Sequence, residues 1–137
     1  ITDTHFSARS RLGRLIAFVA RLNQIASSEK IVGIGVDEKT ALLIDANGIG
    51  RLASGSAGSA WLVQQTEPAT SLVAGQALSL ANERVTELDA GSSINMRTHQ
   101  VGAPASTTLL SIVNGQPSQP SRLDRMLMRG PVPAGED

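Results

Sequence analysis

The chain has 137 residues, enough for about one domain of ordinary size. Hydrophobic residues make up 41% and charged residues 18%, so a packed core is feasible and disorder is not the starting expectation. Lys+Arg and Asp+Glu number 12 each, which argues against nucleic acid or an anionic membrane as a partner, and the absence of cysteine excludes disulfides and thiolate metal sites.

The first stretch, Thr2 to Arg14, concentrates chemistry. It holds His5, one of two histidines, with Asp3 two residues before it and Arg9, Arg11 and Arg14 after it. Leu12, Leu15, Ile16, Val19, Leu22 and Ile25 recur at spacings of three and four, predicting a helix over 7–26 with Ser7 as its N-cap. The helix should fade near Ala26-Ser27-Ser28. Residues 31–36 form an apolar β-prone run, and 40–45 follow after a short loop, which predicts a hairpin or a tightly bent pair. Asn47-Gly48 signals a turn, with strands expected over 48–53 and 59–65.

An irregular stretch begins at Glu67-Pro68, and a short strand is expected around 84–88. Residues 93–101 alternate as a half-buried strand, which puts His99 in mid-strand with no acid near it. Residues 107–113 fit a strand or a short helix. From Gly115 onward the prolines mark an extended tail, so the organisation expected is one main unit over 1–114 and a Pro/Gly-rich tail over 115–137. No apolar run approaches the ~20 residues of a membrane span.

A histidine titrates near neutrality and can act as a general base if it has a nucleophile on one side and an orienting acid on the other. Asp3 and Glu38 are the candidate acids; Glu38 ends an apolar strand, where a side chain is held rigidly. Arg9, Arg11 and Arg14 suit recognition of carboxylates, which guanidinium groups bind in bidentate fashion. The alternative is a solvated helix face and a histidine that merely caps a helix. A nucleophile is not evident. Ser54-Gly55-Ser56-Ala57-Gly58-Ser59 superficially suggests a nucleophile elbow, but a strand follows it rather than a helix, and it reads as a Gly/Ser turn.

Ile1 to Leu15 closely resembles the D-Q-H-F-x-x-R-x-R-x-x-R-L signature of cyanophycinases, members of a serine peptidase family that also contains the aspartyl dipeptidases. Ile34-Gly35-Val36-Asp37-Glu38-Lys39-Thr40-Ala41 resembles that family's G-I-D-E-x-T-A segment. The two motifs cover residues 1 to about 45, and weaker similarity continues to about Val101. The resemblance implies an α/β fold, a class I glutamine amidotransferase-like sandwich of which this chain is the C-terminal part. It implies His5 as general base and Glu38 as the acid, with Asp3, Thr4, Arg9, Arg11 and Arg14 lining the substrate pocket.

Thr4 stands where the family has Gln, a departure that bears on the substrate. The family hydrolyses cyanophycin, a poly-aspartate carrying arginines, to β-aspartyl-arginine dipeptides. No cofactor or metal is implied. The implied partners are an N-terminal segment or chain carrying the nucleophilic Ser, the aspartate/arginine polymer or a β-aspartyl peptide, and a second copy in a homodimer. This chain alone is expected to be inactive. The alternative expectation is a non-catalytic binding relic that keeps the carboxylate pocket.

Overall fold

The computed structural model describes residues 1–26 and 30–127. The chain runs β1 (Thr2–Thr4), α1 (Leu12–Ile25), β2 (Gly33–Val36), β3 (Leu42–Ile44), β4 (Ile49–Leu52), β5 (Ala60–Gln64), β6 (Leu80–Leu88), β7 (Ser93–Asn95), β8 (Val101–Gly102), β9 (Ser106–Val113), β10 (Gln116–Pro117) and α2 (Asp124–Leu127). Six strands form one mixed sheet in the order β1-β2-β5-β6-β9-β10, and the other four form a second sheet, β3-β4-β7-β8. The architecture is α/β. β1 and β2 run parallel with Asp3 beside Gly35, and every other pairing in the large sheet is antiparallel.

Strand alternation sorts the core into two layers. Trp61, Val63, Val85, Leu110 and Ile112 face Leu12, Leu15, Ile16 and Val19 of α1, together with Leu123 and Met126. The intervening residues Ala60, Leu62 and Leu88, with Ile34, face Ile94 and its neighbours Leu42 and Leu52 of the small sheet. The large sheet is thus covered by helices on one face and by the small sheet on the other. Gly33 permits the close approach of α1, since a Cβ there would lie 2.8 Å from the Leu15 Cγ.

Several expectations are corrected. The helix begins at Leu12 rather than at Ser7, because Ser10 takes a left-handed backbone (φ +49°) that a continuous helix cannot contain. Ser7 does not cap it; its hydroxyl is bonded elsewhere, as described below. The fading of the helix at Ser27-Ser28 lies outside the described residues. The hairpin expected between residues 31–36 and 40–45 does not form. β2 pairs with β1 and β5, while β3 leaves for the small sheet and makes its hairpin with β4 across Asn47-Gly48. The strand expected over 93–101 is instead the hairpin β7–β8, and His99 (φ +61°) sits in its turn. Residues 107–113 are strand. In the stretch expected as a tail, β10 pairs with β9, and Leu123 and Met126 are buried in the main core.

One core residue is out of character. Glu83 is fully buried, neither carboxylate oxygen has a hydrogen-bond partner among the described residues, and burial pushes its pKa from 4.5 up to about 7. In the fold this group keeps a proton that the unfolded chain has released. Its contribution to stability is therefore full below about pH 4.5 and is lost as pH rises through 7. Glu83→Gln is expected to raise stability at pH 8 by up to about 3 kcal/mol and to change little near pH 4. Urea denaturation at the two pH values checks this; an equal effect at both would rule out buried titration as the cause.

Candidate active site

The His5 turn lies at the carboxyl end of β1, and Glu38 lies just beyond the carboxyl end of the adjacent parallel strand β2. That is where open α/β sheets gather functional side chains, because strands fix the backbone and the loops leaving them are free to vary. The Phe6 N–H donates to the Val36 carbonyl (3.2 Å), carrying the parallel ladder one step past β1. The chain then winds tightly, with Arg9 N–H donating to the His5 carbonyl and Arg11 N–H to that of Phe6. His5 itself is left-handed (φ +51°), a conformation that costs a non-glycine residue about 1 kcal/mol or more. The Phe6 ring holds the turn from below. It is fully buried and lies directly on Gly35, where any Cβ would overlap it.

His5 Nδ1 lies 2.7 Å from Glu38 Oε1. The hydrogen bond from His5, then the charge of its imidazole, hold the Glu38 carboxyl below its ordinary range; Arg9 and Lys39 act in the same direction. An ionised carboxylate only accepts, so Nδ1 carries the proton and Nε2 is left to receive one. This is the arrangement a general base requires: an acid on one ring nitrogen, with the other left to take a proton. The two side chains are 46% and 48% exposed, so the pair is open to whatever approaches it.

Asp3 is the centre of a second cluster. Its Oδ1 accepts from Arg11 Nη1 (2.8 Å), Arg14 Nη2 (2.6 Å) and the Thr4 N–H (3.0 Å), and its Oδ2 accepts from Arg14 Nε (3.0 Å). Arg11 Nη1 also donates to the Thr4 carbonyl. Burial raises the Asp3 pKa, but the hydrogen bonds and charges of Arg14 and Arg11 outweigh it and leave the pKa lowered. The structure thus brings Asp3, Thr4, Arg11 and Arg14 together, with the two guanidiniums directed at a carboxylate of the chain itself. Arg9 makes no ion pair among the described residues and stands near Glu38.

A lowered carboxyl pKa contributes stability above the unfolded value, and that stability is lost as pH falls through the folded one. Asp3→Asn is expected to cost about 1–3 kcal/mol at pH 7 and progressively less below pH ~4. Thermal unfolding across that range checks this; a penalty independent of pH would contradict it.

Asp37, Ser7, Ser59 and Trp61 meet beside the pair, although the sequence assigned none of them to the site. One Asp37 oxygen accepts from Ser7 N–H (3.0 Å), Ser7 hydroxyl (2.5 Å) and Trp61 Nε1 (3.2 Å), and the other accepts from Ser59 N–H (3.0 Å). Asp37 matches the D of the G-I-D-E-x-T-A segment, which was the one signal in the sequence that could have singled it out. Thr40 ties the same loop down, donating its hydroxyl to the Glu38 carbonyl and accepting from the Gly58 N–H. The Ser54–Ser59 stretch is a strand-to-strand turn with Gly55 at φ +82°, and Ser56 Oγ accepts from the Ala41 N–H.

A cleft of about 420 Å³ adjoins the far side of the His5 turn, between Ser7, Trp61, Glu87, Arg122 and Met126. A second cavity of about 490 Å³ lies among Asn23, Lys30, Gln65 and Glu67, by the end of α1. His5 and Glu38 line neither. No three His, Asp or Glu side chains gather as a metal site among the described residues, and none of their helices is long and apolar enough to cross a membrane.

No family model matches the sequence. The cyanophycinases of Synechococcus elongatus and Thermosynechococcus vestitus are each 33% identical to it over 105 residues. The aligned region is 74% of this chain and 30% of each of those proteins, so the chain spans under a third of the length of the curated relatives it matches. That similarity, at moderate identity, supports a cyanophycinase-like relationship for this chain.

Proposed function

We propose that this chain is the C-terminal part of a cyanophycinase-like serine peptidase, with His5 as general base and Glu38 as the acid that orients it. The observation that carries the reading is the 2.7 Å contact between His5 Nδ1 and Glu38 Oε1 at neighbouring parallel strand ends, in a chain similar to cyanophycinases. A serine supplied by an N-terminal segment or chain attacks the substrate carbonyl while His5 Nε2 takes the hydroxyl proton. His5⁺, stabilised by Glu38, then passes that proton to the leaving amine, and water repeats the sequence on the acyl-enzyme.

The substrate is cyanophycin or a related β-aspartyl peptide, released as dipeptides. Arg9 receives a substrate carboxylate, and the Asp3–Arg11–Arg14 cluster with Thr4 forms the wall beside it. β1 ends the large sheet, and its outer edge has no strand partner among the described residues. A segment that adds strands there would extend the sheet into a class I glutamine amidotransferase-like sandwich and bring its serine to the carboxyl ends of β1 and β2. The assembled enzyme is a homodimer.

The test is to supply the upstream segment and incubate the complex with a β-aspartyl-arginine polymer. Dipeptides detected by mass spectrometry are the expected result. A folded complex that releases none, or an upstream segment without a serine at the elbow, would replace this reading with that of a non-catalytic relic.

A further inference from the structure

We propose that Asp37 is the positioning residue that holds His5 against Glu38; the inference rests on the reading of those two residues as base and acid. Three chain segments meet on its carboxylate. Ser7 belongs to the turn that begins at His5, Ser59 precedes β5, and Trp61 lies within β5. Together they direct four donors at the two oxygens: the Ser7 N–H and hydroxyl, the Trp61 indole N–H and the Ser59 N–H. The Asp37 N–H also donates to the Ser59 carbonyl (3.1 Å), so both its backbone and its side chain are anchored to the same segment. Gly58 leaves the room for this, since a Cβ there would lie 2.6 Å from that of Asp37.

Each end of the His5–Glu38 contact sits next to this anchor. Glu38 is the residue after Asp37, and Lys39 beyond it is left-handed (φ +52°). On the other side His5 is left-handed as well, two residues before Ser7. A strained φ persists only where flanking contacts over-determine it. At His5 those contacts are the Phe6 ring on Gly35 and the clamp of Asp37 on Ser7. With the clamp gone, the turn is free to relax toward negative φ, and that rotation carries the imidazole away from Glu38. Asp37 acts through the backbone of both partners and touches neither ring nitrogen.

The chain contains only two histidines, which makes the readout direct. Imidazole ¹⁵N shifts report which nitrogen carries the proton, and they can be recorded on this chain at about pH 9, where a free imidazole is neutral. Wild type is expected to hold His5 as the Nδ1–H tautomer. Asp37→Ala and the isosteric Asp37→Asn are expected to shift it toward the Nε2–H form that imidazole prefers in water. Asp45→Asn, which removes the charge of a carboxylate that accepts two N–H bonds in the β3–β4 turn, serves as a control for general destabilisation and is expected to leave His5 unchanged.

If Asp37→Ala does not fold, Asp37→Asn decides. A folded Asp37 variant with the wild-type tautomer overturns the inference, as does an Asp45→Asn shift equal to that of Asp37→Asn. Glu38→Ala separates the two levels: a tautomer indifferent to Glu38→Ala removes the underlying pair, whereas one sensitive to Glu38 but not to Asp37 removes only the positioning role.

Discussion

His5→Asn, in the complex with the serine-bearing segment, is expected to lower kcat by about 10³- to 10⁴-fold, the usual consequence of losing a general base from a triad. Asparagine is the substitution to use because His5 has φ +51°, a conformation asparagine tolerates and alanine does not. Chemistry and folding are thereby separated. Since His5 is exposed, thermal stability should move by less than about 0.5 kcal/mol. Glu38→Gln is expected to cost less, about 10²-fold, because the pair is half open to water and an amide still occupies the place of the acceptor. KM should change little in either variant, since neither side chain is assigned to holding the ground state. Steady-state dipeptide release measures all of this; wild-type kcat in His5→Asn would remove the proposed mechanism.

Phe6→Ala is expected to destabilise the chain by about 3–5 kcal/mol, as for other fully buried aromatic residues. The ring fills the space above Gly35, and that glycine exists for the ring: a methyl group at 35 overlaps it. Gly35→Ala is accordingly expected to cost about 1–3 kcal/mol through overpacking. The double variant should be less destabilised than the sum of the two, because the new methyl occupies part of the cavity left by the ring. Urea unfolding of the three variants gives the cycle, and strict additivity would show that the two residues do not share that space. Phe6 immediately follows His5, so the same packing holds the candidate base in place.

Elements with a strong local signal were legible. The stripe from Leu12 to Ile25 is set by 3.6-residue periodicity and became α1, and Asn47-Gly48 became a hairpin turn because glycine tolerates the φ of +81° found at Gly48. Residues 59–65 became β5. Misreadings fell where non-local contacts decide. Sequence proximity suggested that residues 31–36 pair with 40–45, but β2 finds its neighbours at residues 2–4 and 60–63, and no local rule encodes that choice. Residues 93–101 alternate like one strand, yet His99 turns the chain back on itself. The prolines after Gly115 hid Leu123 and Met126, which are buried in the main core and would pass as tail residues in isolation.

The candidate site divides the same way. By itself the sequence determined which chemical groups are available: an imidazole, an acid at a strand end, three arginines within six positions, and a family pattern joining them across more than thirty residues. Side-chain chemistry is written residue by residue, so a sequence carries it without a fold. Only the tertiary structure decided which groups meet. It placed Glu38 rather than Asp3 on His5 and turned Arg11 and Arg14 onto Asp3. It also directed four donors onto Asp37, a residue that stands in the family pattern but had no role assigned to it there. The reason is geometric: a hydrogen bond requires atoms within about 3 Å, and strand pairing across the sheet sets those distances.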